Sequence, residues 1–283
     1  MYGKYRYATI GKERALSYKH IIFERDDTIS RITFNRPQAH NALDRDMSDE
    51  LADAVRKVKK DRQCRILVFR GNGDTFCAGD DIKDFLAWND EDPYWQCRQY
   101  QETAQMIEDL TCITVAAVDG VCTGGGLELT LTCDFVVATD RSRWGMPEID
   151  WDITPGWGGV TRLQKFAGRR KTKEWNLIGQ LFDAATAERY DLINRICKPA
   201  DLTKEVDALI AVIAAKNPVT LRRSKFVLNK SADLPTHAAM AFEVPIQPFD
   251  SKPGRFATDG MEDFAKPETR AARRKVSKSF WQT

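Results

Sequence analysis

Two glutamates lie in segments whose composition suits proton transfer. Three consecutive glycines, Gly124 to Gly126, come shortly before Glu128. A glycine-rich turn between a predicted strand and a predicted helix directs main-chain N–H groups from a positive helix end, which stabilises negative charge that develops in a reaction. In the first helical turn, however, Glu128 also fits a residue that only interacts with the helix dipole.

The second glutamate, Glu148, stands among apolar, aromatic, proline and glycine residues in the segment from Trp144 to Gly159. A carboxylate that loses its hydration has a raised pKa, which suits a group that must both donate and accept a proton. On this segment alone, an exposed glutamate in a turn is an equal alternative.

A third segment, Gly71 to Phe85, contains a predicted strand end, several glycines and a helix start at Asp81. Such a turn can direct N–H groups into a cleft, although many β/α loops look the same. The glycine-rich turn at residues 120–126 lacks the GK[ST] ending of a phosphate loop and the GxGxxG pattern of a dinucleotide fold.

The composition is that of an ordinary globular protein. The chain has 283 residues, 42% hydrophobic and 30% charged, which predicts one large domain or one and a half. A net charge of +2 gives no global field that favours nucleic acid. No apolar run reaches the ~20 residues of a membrane-spanning helix, and residues 1–17 lack the apolar stretch of a secretory signal.

Seven cysteines form no CxxC pair and have no metal-like spacing with the three histidines. Free thiols in a reducing cytoplasm are the simplest interpretation.

The elements that position these segments alternate between strand and helix. We predict layered β/α units over residues 32–138, with helices outside the sheets, and a helical region in which the strand signal fades after Gly156. The predicted strands are residues 20–24, 28–34, 64–69, 113–118 and 135–138. The predicted helices are residues 46–59, 102–110, 127–133, 161–166, 171–178, 184–190 and 202–215, with another that begins at Pro218.

Three blocks in this order and spacing resemble the enoyl-CoA hydratase (crotonase) family. They are Ala78-Gly-Asp-Asp-Ile-Lys83, the stretch from Asp119 to Glu128, and the stretch from Pro147 to Gly159. Asn35-Arg-Pro, His40-Asn-Ala-Leu43 and Phe256-Ala-Thr-Asp259 fit the same pattern, so the resemblance covers about residues 18–265.

The resemblance implies an α/β fold, a crotonase-like spiral of ββα units with a helical C-terminal trimerisation subdomain. We expect an N-terminal extension at residues 1–17, the spiral core at 18–200, and the helical subdomain with a basic tail at 201–283. Members of the family form trimers that often pair into hexamers.

The resemblance also assigns roles. The oxyanion hole would be the main-chain N–H groups of Asp80 and Gly125. Glu128 would activate the water that attacks the β-carbon, and Glu148 would exchange the proton at the α-carbon, which converts a 2-enoyl-CoA into a 3-hydroxyacyl-CoA. No metal or redox cofactor is implied, since coenzyme A enters as part of the substrate.

The contacts to substrate and coenzyme A are implied in the same way. His40 is expected near the nucleotide end rather than in the chemistry, Lys83 near the adenine and phosphates, and Phe256 against the coenzyme A of an adjacent subunit. The full expected set is His40, Ala42, Leu43, Ala78, Asp81, Ile82, Lys83, Gly124, Trp151 and Phe256.

Some features depart from the family pattern. A carboxylate at Asp80 that faced inward would oppose enolate formation, so we expect it to point away. The tail from Lys266 to Thr283 does not follow the family's ending. Trp144, Trp151 and Trp157 indicate a bulky or aromatic acyl group, or else merely pack the helical layer.

Rival interpretations remain open on the sequence. Glu148-Ile-Asp-Trp is similar to hydroxycinnamoyl-CoA hydratase-lyases, and an enoyl-CoA isomerase shares the fold. A catalytically silent homologue could instead bind RNA or a protein through the basic run from Lys266 to Lys278. We favour a cytoplasmic hydratase that takes an acyl-CoA thioester, binds neither nucleic acid nor membrane, and forms a homotrimer or a dimer of trimers.

Overall fold

The computed structural model describes residues 18–243 and 259–272, in which strands form two sheets. Both sheets contain short strands with buried apolar side chains, and Ile113–Val118 is buried at every position. The strands are β1 (Ile21–Asp26), β2 (Ile29–Phe34), β3 (Ile66–Gly71), β4 (Ile113–Val118), β5 (Val121–Thr123), β6 (Phe135–Thr139), β7 (Arg143–Gly145), β8 (Phe182–Asp183) and β9 (Arg195–Cys197).

The larger sheet has the order β1-β2-β3-β4-β6-β9, and the smaller sheet has the order β5-β7-β8. β1 and β2 form an antiparallel hairpin, whereas the neighbours from β2 to β9 are parallel. Parallel neighbours need a crossover between them, which accounts for the intervening helices.

Successive units place one strand in each sheet before the chain turns into a helix. β4 lies in the larger sheet and β5 in the smaller one, and β6 and β7 repeat this step. An isolated bridge between Cys77 and Cys122 adds the preceding loop to the smaller sheet. This repetition is the spiral of ββα units that the resemblance implies, and it brings the loops after β3 and β5 side by side.

The helices flank the sheets. They are α1 (Arg45–Lys60), α2 (Ile82–Phe85), α3 (Asp92–Glu108), α4 (Gly125–Thr130), α5 (Gly159–Ile178), α6 (Ala184–Arg189), α7 (Leu202–Ala214), α8 (Pro218–Ser231), α9 (Thr236–Glu243) and α10 (Asp259–Ala265). α1 shows how the sequence forms such a helix: Asp44 accepts a hydrogen bond from the N–H of Met47 at its start, and one face is buried.

Two hydrophobic clusters fill the interior. The larger one lies between the two sheets, α1 and α3, and the smaller one joins α7 to the other face of the larger sheet. α7 begins at Leu202, after the last described strand ends at Cys197. α7 packs directly on the larger sheet. The division into domains at residues 200 and 201 stays a prediction.

The structure corrects several predicted boundaries. Strands β8 and β9 lie after Gly156, where we predicted only helices. The turn predicted at residues 120–126 contains β5, and α3 begins at Asp92 rather than Glu102. The helices predicted at 161–166 and 171–178 form one span, broken at Gly168 by a φ of 73°.

No helix in residues 18–243 and 259–272 is long and apolar enough to cross a membrane.

Candidate active site

Glycines allow two loops and two glutamates to approach closely. Gly124 has a φ of 52°, and a Cβ there would lie 3.1 Å from Glu148 Oε1. Gly79, with a φ of 99°, faces the same loop, and its Cβ would lie 3.1 Å from the carbonyl oxygen of Thr123. Side chains at these positions would separate the loop after β3 from the loop after β5, so the glycines serve packing as well as turn geometry.

Glu128 lies in the first turn of α4 and is fully buried. Its Oε1 accepts hydrogen bonds from the main-chain N–H of Gly159 (2.5 Å) and of Trp157 (3.1 Å), at the start of α5. A Cβ at Gly159 would lie 2.2 Å from Glu128 Cγ, which leaves only glycine room for this contact. Oε2 is buried and has no hydrogen-bond partner among the described residues.

Glu148 reaches the same place from a short 3-10 turn, Pro147–Trp151. Its side chain is turned inward, with 7% of the residue exposed, and neither carboxyl oxygen has a hydrogen-bond partner among the described residues. The sequence left open an exposed turn glutamate, and the structure excludes that alternative.

Burial dominates the ionisation of both glutamates. It raises the pKa of Glu148 to about 7, with a smaller contribution from the charge of Asp80. Burial also raises the pKa of Glu128 well above its usual range, and the charges of Glu148 and Asp80 add to the rise. The two main-chain N–H donors oppose the rise at Glu128 without cancelling it. Two interacting carboxyl groups of this kind titrate as a pair.

The two main-chain N–H groups predicted for the oxyanion hole lie on these adjacent loops. Within residues 18–243 and 259–272, neither the N–H of Asp80 nor that of Gly125 donates to another residue. The loops are tied together because Thr123 donates to Cys77 O from its main chain (3.1 Å) and to Ala78 O from its hydroxyl (3.0 Å). Two such main-chain donors, one of them at the start of α4, can stabilise a developing oxyanion.

The expectation that the Asp80 side chain points away is wrong. Its Oδ1 accepts a hydrogen bond from Trp157 Nε1 over 3.1 Å, which holds the carboxyl beside the site. Burial of that carboxyl raises the pKa of Asp80 to about 7. Below that pH the Asp80 carboxyl is mostly a neutral acid, which does not oppose enolate formation in the way a carboxylate would.

The structure brings the predicted coenzyme A segments together. Ala78 N donates to His40 O (3.1 Å), Leu43 N to Gly79 O (2.8 Å), and Asp81 N to Leu43 O (2.9 Å). His40, Ile82 and Lys83 have exposed side chains along this edge, Ala42 is partly exposed, and Leu43 and Gly124 are buried.

Two further members of the predicted set stay predictions. Trp151 is 59% exposed, although Glu148 in the same turn is buried. Phe256 lies outside the described residues. Trp144 is in the core, where its indole donates to Ser142 Oγ (2.8 Å), so of the three tryptophans only Trp157 touches the predicted catalytic groups.

The sequence did not indicate the roles of three residues that build the site. Arg36 joins the two coenzyme A segments, since it pairs with Asp44 (3.1 Å) and Asp81 (3.0 Å). Trp157 binds two carboxyl groups, and Tyr100 from α3 stacks on its indole. Asn35-Arg-Pro was noted as a motif, but nothing local indicates the partner of the arginine.

No cluster of three or more His, Cys, Asp or Glu side chains with the arrangement of a metal site occurs in the part of the chain that the structure describes.

Comparison with known proteins connects this geometry to a family. Residues 24–270 match the enoyl-CoA hydratase/isomerase family. A crotonyl-CoA hydratase from Syntrophomonas wolfei is 33% identical over 233 residues, which cover 81% of this chain and 88% of the relative.

Solved structures agree with this assignment. An enoyl-CoA hydratase from Bacillus anthracis superposes with a TM-score of 0.77 at 26% identity and covers 81% of this chain and 89% of its own. A Thermobifida fusca protein solved in complex with acetoacetyl-CoA gives a TM-score of 0.75 at 27% identity, with 81% and 93% covered. The chain belongs to the enoyl-CoA hydratase/isomerase family.

Proposed function

We propose that this chain is an enoyl-CoA hydratase whose acid and base are Glu128 and Glu148. The observation that carries the proposal is the pair of buried glutamates at a glycine-rich helix start, with three of their four carboxyl oxygens unpartnered among the described residues. Family members named crotonyl-CoA hydratase and short-chain-enoyl-CoA hydratase support the reaction class.

The thioester oxygen of the substrate would accept hydrogen bonds from the N–H groups of Asp80 and Gly125. As the β-carbon is attacked, electron density moves to this oxygen to give an enolate. Each donor is expected to stabilise that charge by about 3 kcal/mol, by analogy with other oxyanion holes. Because both donors are main-chain groups on tied loops, little reorganisation accompanies the reaction.

Proton transfer would be divided between the glutamates. Glu128 takes a proton from a water molecule as the oxygen of that water bonds to the β-carbon. Glu148 gives a proton to the α-carbon as the enolate collapses. The net change is addition of water across the double bond, and one proton stays with the pair. A pair with raised pKa values suits this exchange, since hydration needs one carboxylate and one carboxylic acid together.

The coenzyme A part of the substrate would lie along the edge formed by residues 40–43 and 78–83. Main-chain contacts hold these segments together, and the exposed side chains of His40 and Lys83 are available to the phosphates. No cofactor beyond the coenzyme A of the substrate is proposed. Phe256 of an adjacent subunit and Trp151 remain predicted contacts.

We also propose a homotrimer or a dimer of trimers. A patch of exposed apolar side chains supports self-association, with Leu177 and Ile178 at the end of α5 and Ile149 and Leu181 nearby. Sedimentation at several protein concentrations tests this directly. All seven cysteines are free thiols, which supports the proposed cytoplasmic location.

The experiment that tests the function follows loss of the enoyl thioester absorbance with crotonyl-CoA and with cinnamoyl-type thioesters. Hydration of at least one 2-enoyl-CoA, with a 3-hydroxyacyl-CoA as product, is the expected result. Release of an aromatic aldehyde would make the chain a hydratase-lyase, and formation of a 2-enoyl-CoA from a 3-enoyl-CoA would make it an isomerase. No turnover of any thioester would refute the hydratase assignment.

A further inference from the structure

Trp157 is hydrogen bonded to two carboxyl groups of the site at once. Its main-chain N–H donates to Glu128 Oε1, and its indole N–H donates to Asp80 Oδ1, each over 3.1 Å. The residue is fully buried, and its ring stacks on Tyr100 with centroids 4.4 Å apart and planes 9° apart. The stacking and the indole hydrogen bond favour one orientation of the ring, and the two hydrogen bonds link Asp80 to Glu128 through Trp157.

The same indole lies against the predicted oxyanion hole. A Cβ at Gly125 would meet Trp157 Nε1 at 3.0 Å and Cδ1 at 3.2 Å. Asp80 therefore contributes two groups to the candidate active site. Its main-chain N–H is one proposed donor of the oxyanion hole, and its side chain is a third carboxyl group beside the two glutamates.

Ionisable groups from several elements surround the Asp80 carboxyl, and its negative charge raises the pKa of each. Arg36, in the loop between β2 and α1, forms ion pairs with Asp44 and Asp81. The surrounding groups are Cys77 in the same loop, Cys97 and Tyr100 in α3, Glu128 in α4 and Glu148 in the turn Pro147–Trp151.

We propose that Asp80 and Trp157 are positioning residues that set the proton balance of the Glu128–Glu148 pair. Trp157 fixes the Asp80 carboxyl beside the pair, and the charge on Asp80 determines how firmly the pair holds its proton. When Asp80 is neutral, the glutamates release protons at lower pH. When it is ionised, they retain a proton to higher pH, which keeps one acid and one base together over a wider range.

This inference rests on the proposed function for its catalytic meaning, but the coupling itself is measurable without substrate. Labelling with 15N-tryptophan gives indole signals from the seven tryptophans, and Trp157→Phe identifies the one of interest. We expect that signal to move with pH, with a midpoint near 7, where Asp80 ionises. In Asp80→Asn, which keeps an oxygen facing the indole, most of this movement should be lost.

Trp144 provides the matched control for this titration. Its indole is equally buried but donates to Ser142 Oγ (2.8 Å), a group that does not titrate, so its signal should stay constant. A Trp157 signal that stays still from about pH 5 to about pH 9, or that moves as far in Asp80→Asn as in the native chain, overturns the proposal.

The pH profile of kcat/KM gives a second test. Removal of the Asp80 charge lowers the pKa of both glutamates, so the acidic limb should shift to lower pH by roughly half a unit or more in Asp80→Asn. Trp157→Phe should shift the limb in the same direction, because Asp80 loses the donor that favours its charged form. The double variant should shift no further than Asp80→Asn.

Trp144→Phe removes a comparable buried donor and should leave the profile in place. Profiles of Asp80→Asn and Trp157→Phe that superpose on the native one contradict the positioning role. If the native chain hydrates no thioester, the proposed function fails on its own, and the indole titration still decides whether Asp80 and Trp157 are coupled.

Discussion

Two parts of the described chain place carboxyl groups in opposite surroundings. At the ends of β4 and β6, Asp134 Oδ2 accepts hydrogen bonds from the N–H (2.8 Å) and hydroxyl (3.0 Å) of Thr114 and from Lys225 Nζ (2.7 Å). Lys225 is 5% exposed and also donates to Cys112 O (2.9 Å). In the candidate active site, no described residue donates to either carboxyl oxygen of Glu148, and described residues donate to only one oxygen of Glu128.

The difference distinguishes a carboxyl group that stabilises the fold from carboxyl groups that can take part in a reaction. Hydrogen bonds and a paired charge offset the desolvation of Asp134, and the resulting contact fastens α8 to the sheet. The glutamates lose hydration without equal compensation, so their pKa values rise and their oxygens stay available to a substrate. Reactivity at the site is therefore expected to cost stability, whereas the Asp134 contact contributes it.

The largest effect is expected on activity when either glutamate becomes an amide. Glu128→Gln and Glu148→Gln each remove one proton-transfer group, so the hydration rate should fall by roughly 10³-fold. Steady-state kinetics with a 2-enoyl-CoA measures this. Glu174→Gln, which changes a partly exposed partner of Lys171 in α5, should stay within about two-fold of the native rate.

Retained hydration in either active-site variant would remove that residue from the mechanism. A loss of the same size in Glu174→Gln would show that the assay reports folding rather than chemistry.

Loss of the ion pair between Lys225 and Asp134, whose side chains are 5% and 17% exposed, should have the next largest effect, on the free energy of unfolding rather than on activity. Lys225→Met leaves the Asp134 carboxylate without its cation, and the free energy of unfolding should fall by about 3 kcal/mol. Lys230→Met on the same helix breaks a more exposed pair with Asp109, so it should cost no more than about 0.5 kcal/mol. Denaturant unfolding of both variants measures the contrast, and equal losses would contradict it.

The sequence predicts those strands and helices whose apolar pattern lies within the element itself. The apolar, β-branched run at 113–118 forms β4 with the predicted bounds, and the helix predicted at 46–59 extends by one residue at each end. β7 and β8 have three residues or fewer and depend on partners far along the chain, so they leave little local signal.

The residues of the candidate site also divide into those that a local pattern indicates and those that depend on distant partners. Glu128 and Glu148 could be named from their segments, but only the resemblance to a family placed them together. The direction of the Asp80 side chain depends on an indole 77 residues later in the chain, which no local pattern encodes. Pairings of this kind come from the tertiary structure, and electrostatic arguments on isolated loops predicted the opposite orientation.

The stability cost of the active site gives a smaller, pH-dependent prediction. Folding raises the pKa of Glu148 from 4.5 to about 7, so the folded chain binds the proton more tightly and stability falls as pH rises through that window. Glu148→Gln removes this penalty, so it should raise the free energy of unfolding by about 1–2 kcal/mol at about pH 8 and by less at about pH 4. Unfolding at both pH values tests it, and a variant less stable than the native chain at the higher pH would refute the cost.

The smallest effect is expected from one hydroxyl beside Asp134. Thr114→Val keeps the shape and the main-chain donor but removes a hydroxyl that donates to Asp134 Oδ2 and accepts from its N–H (2.9 Å), so the free energy of unfolding should fall by about 1 kcal/mol. Thr132→Val is the matched control, since the buried hydroxyl of Thr132 donates back to Leu129 O in the preceding turn. Denaturant unfolding should place Thr114→Val below Thr132→Val. The reverse order would mean that the lysine and the main chain alone satisfy Asp134, and that its hydrogen bonds matter less than its charge.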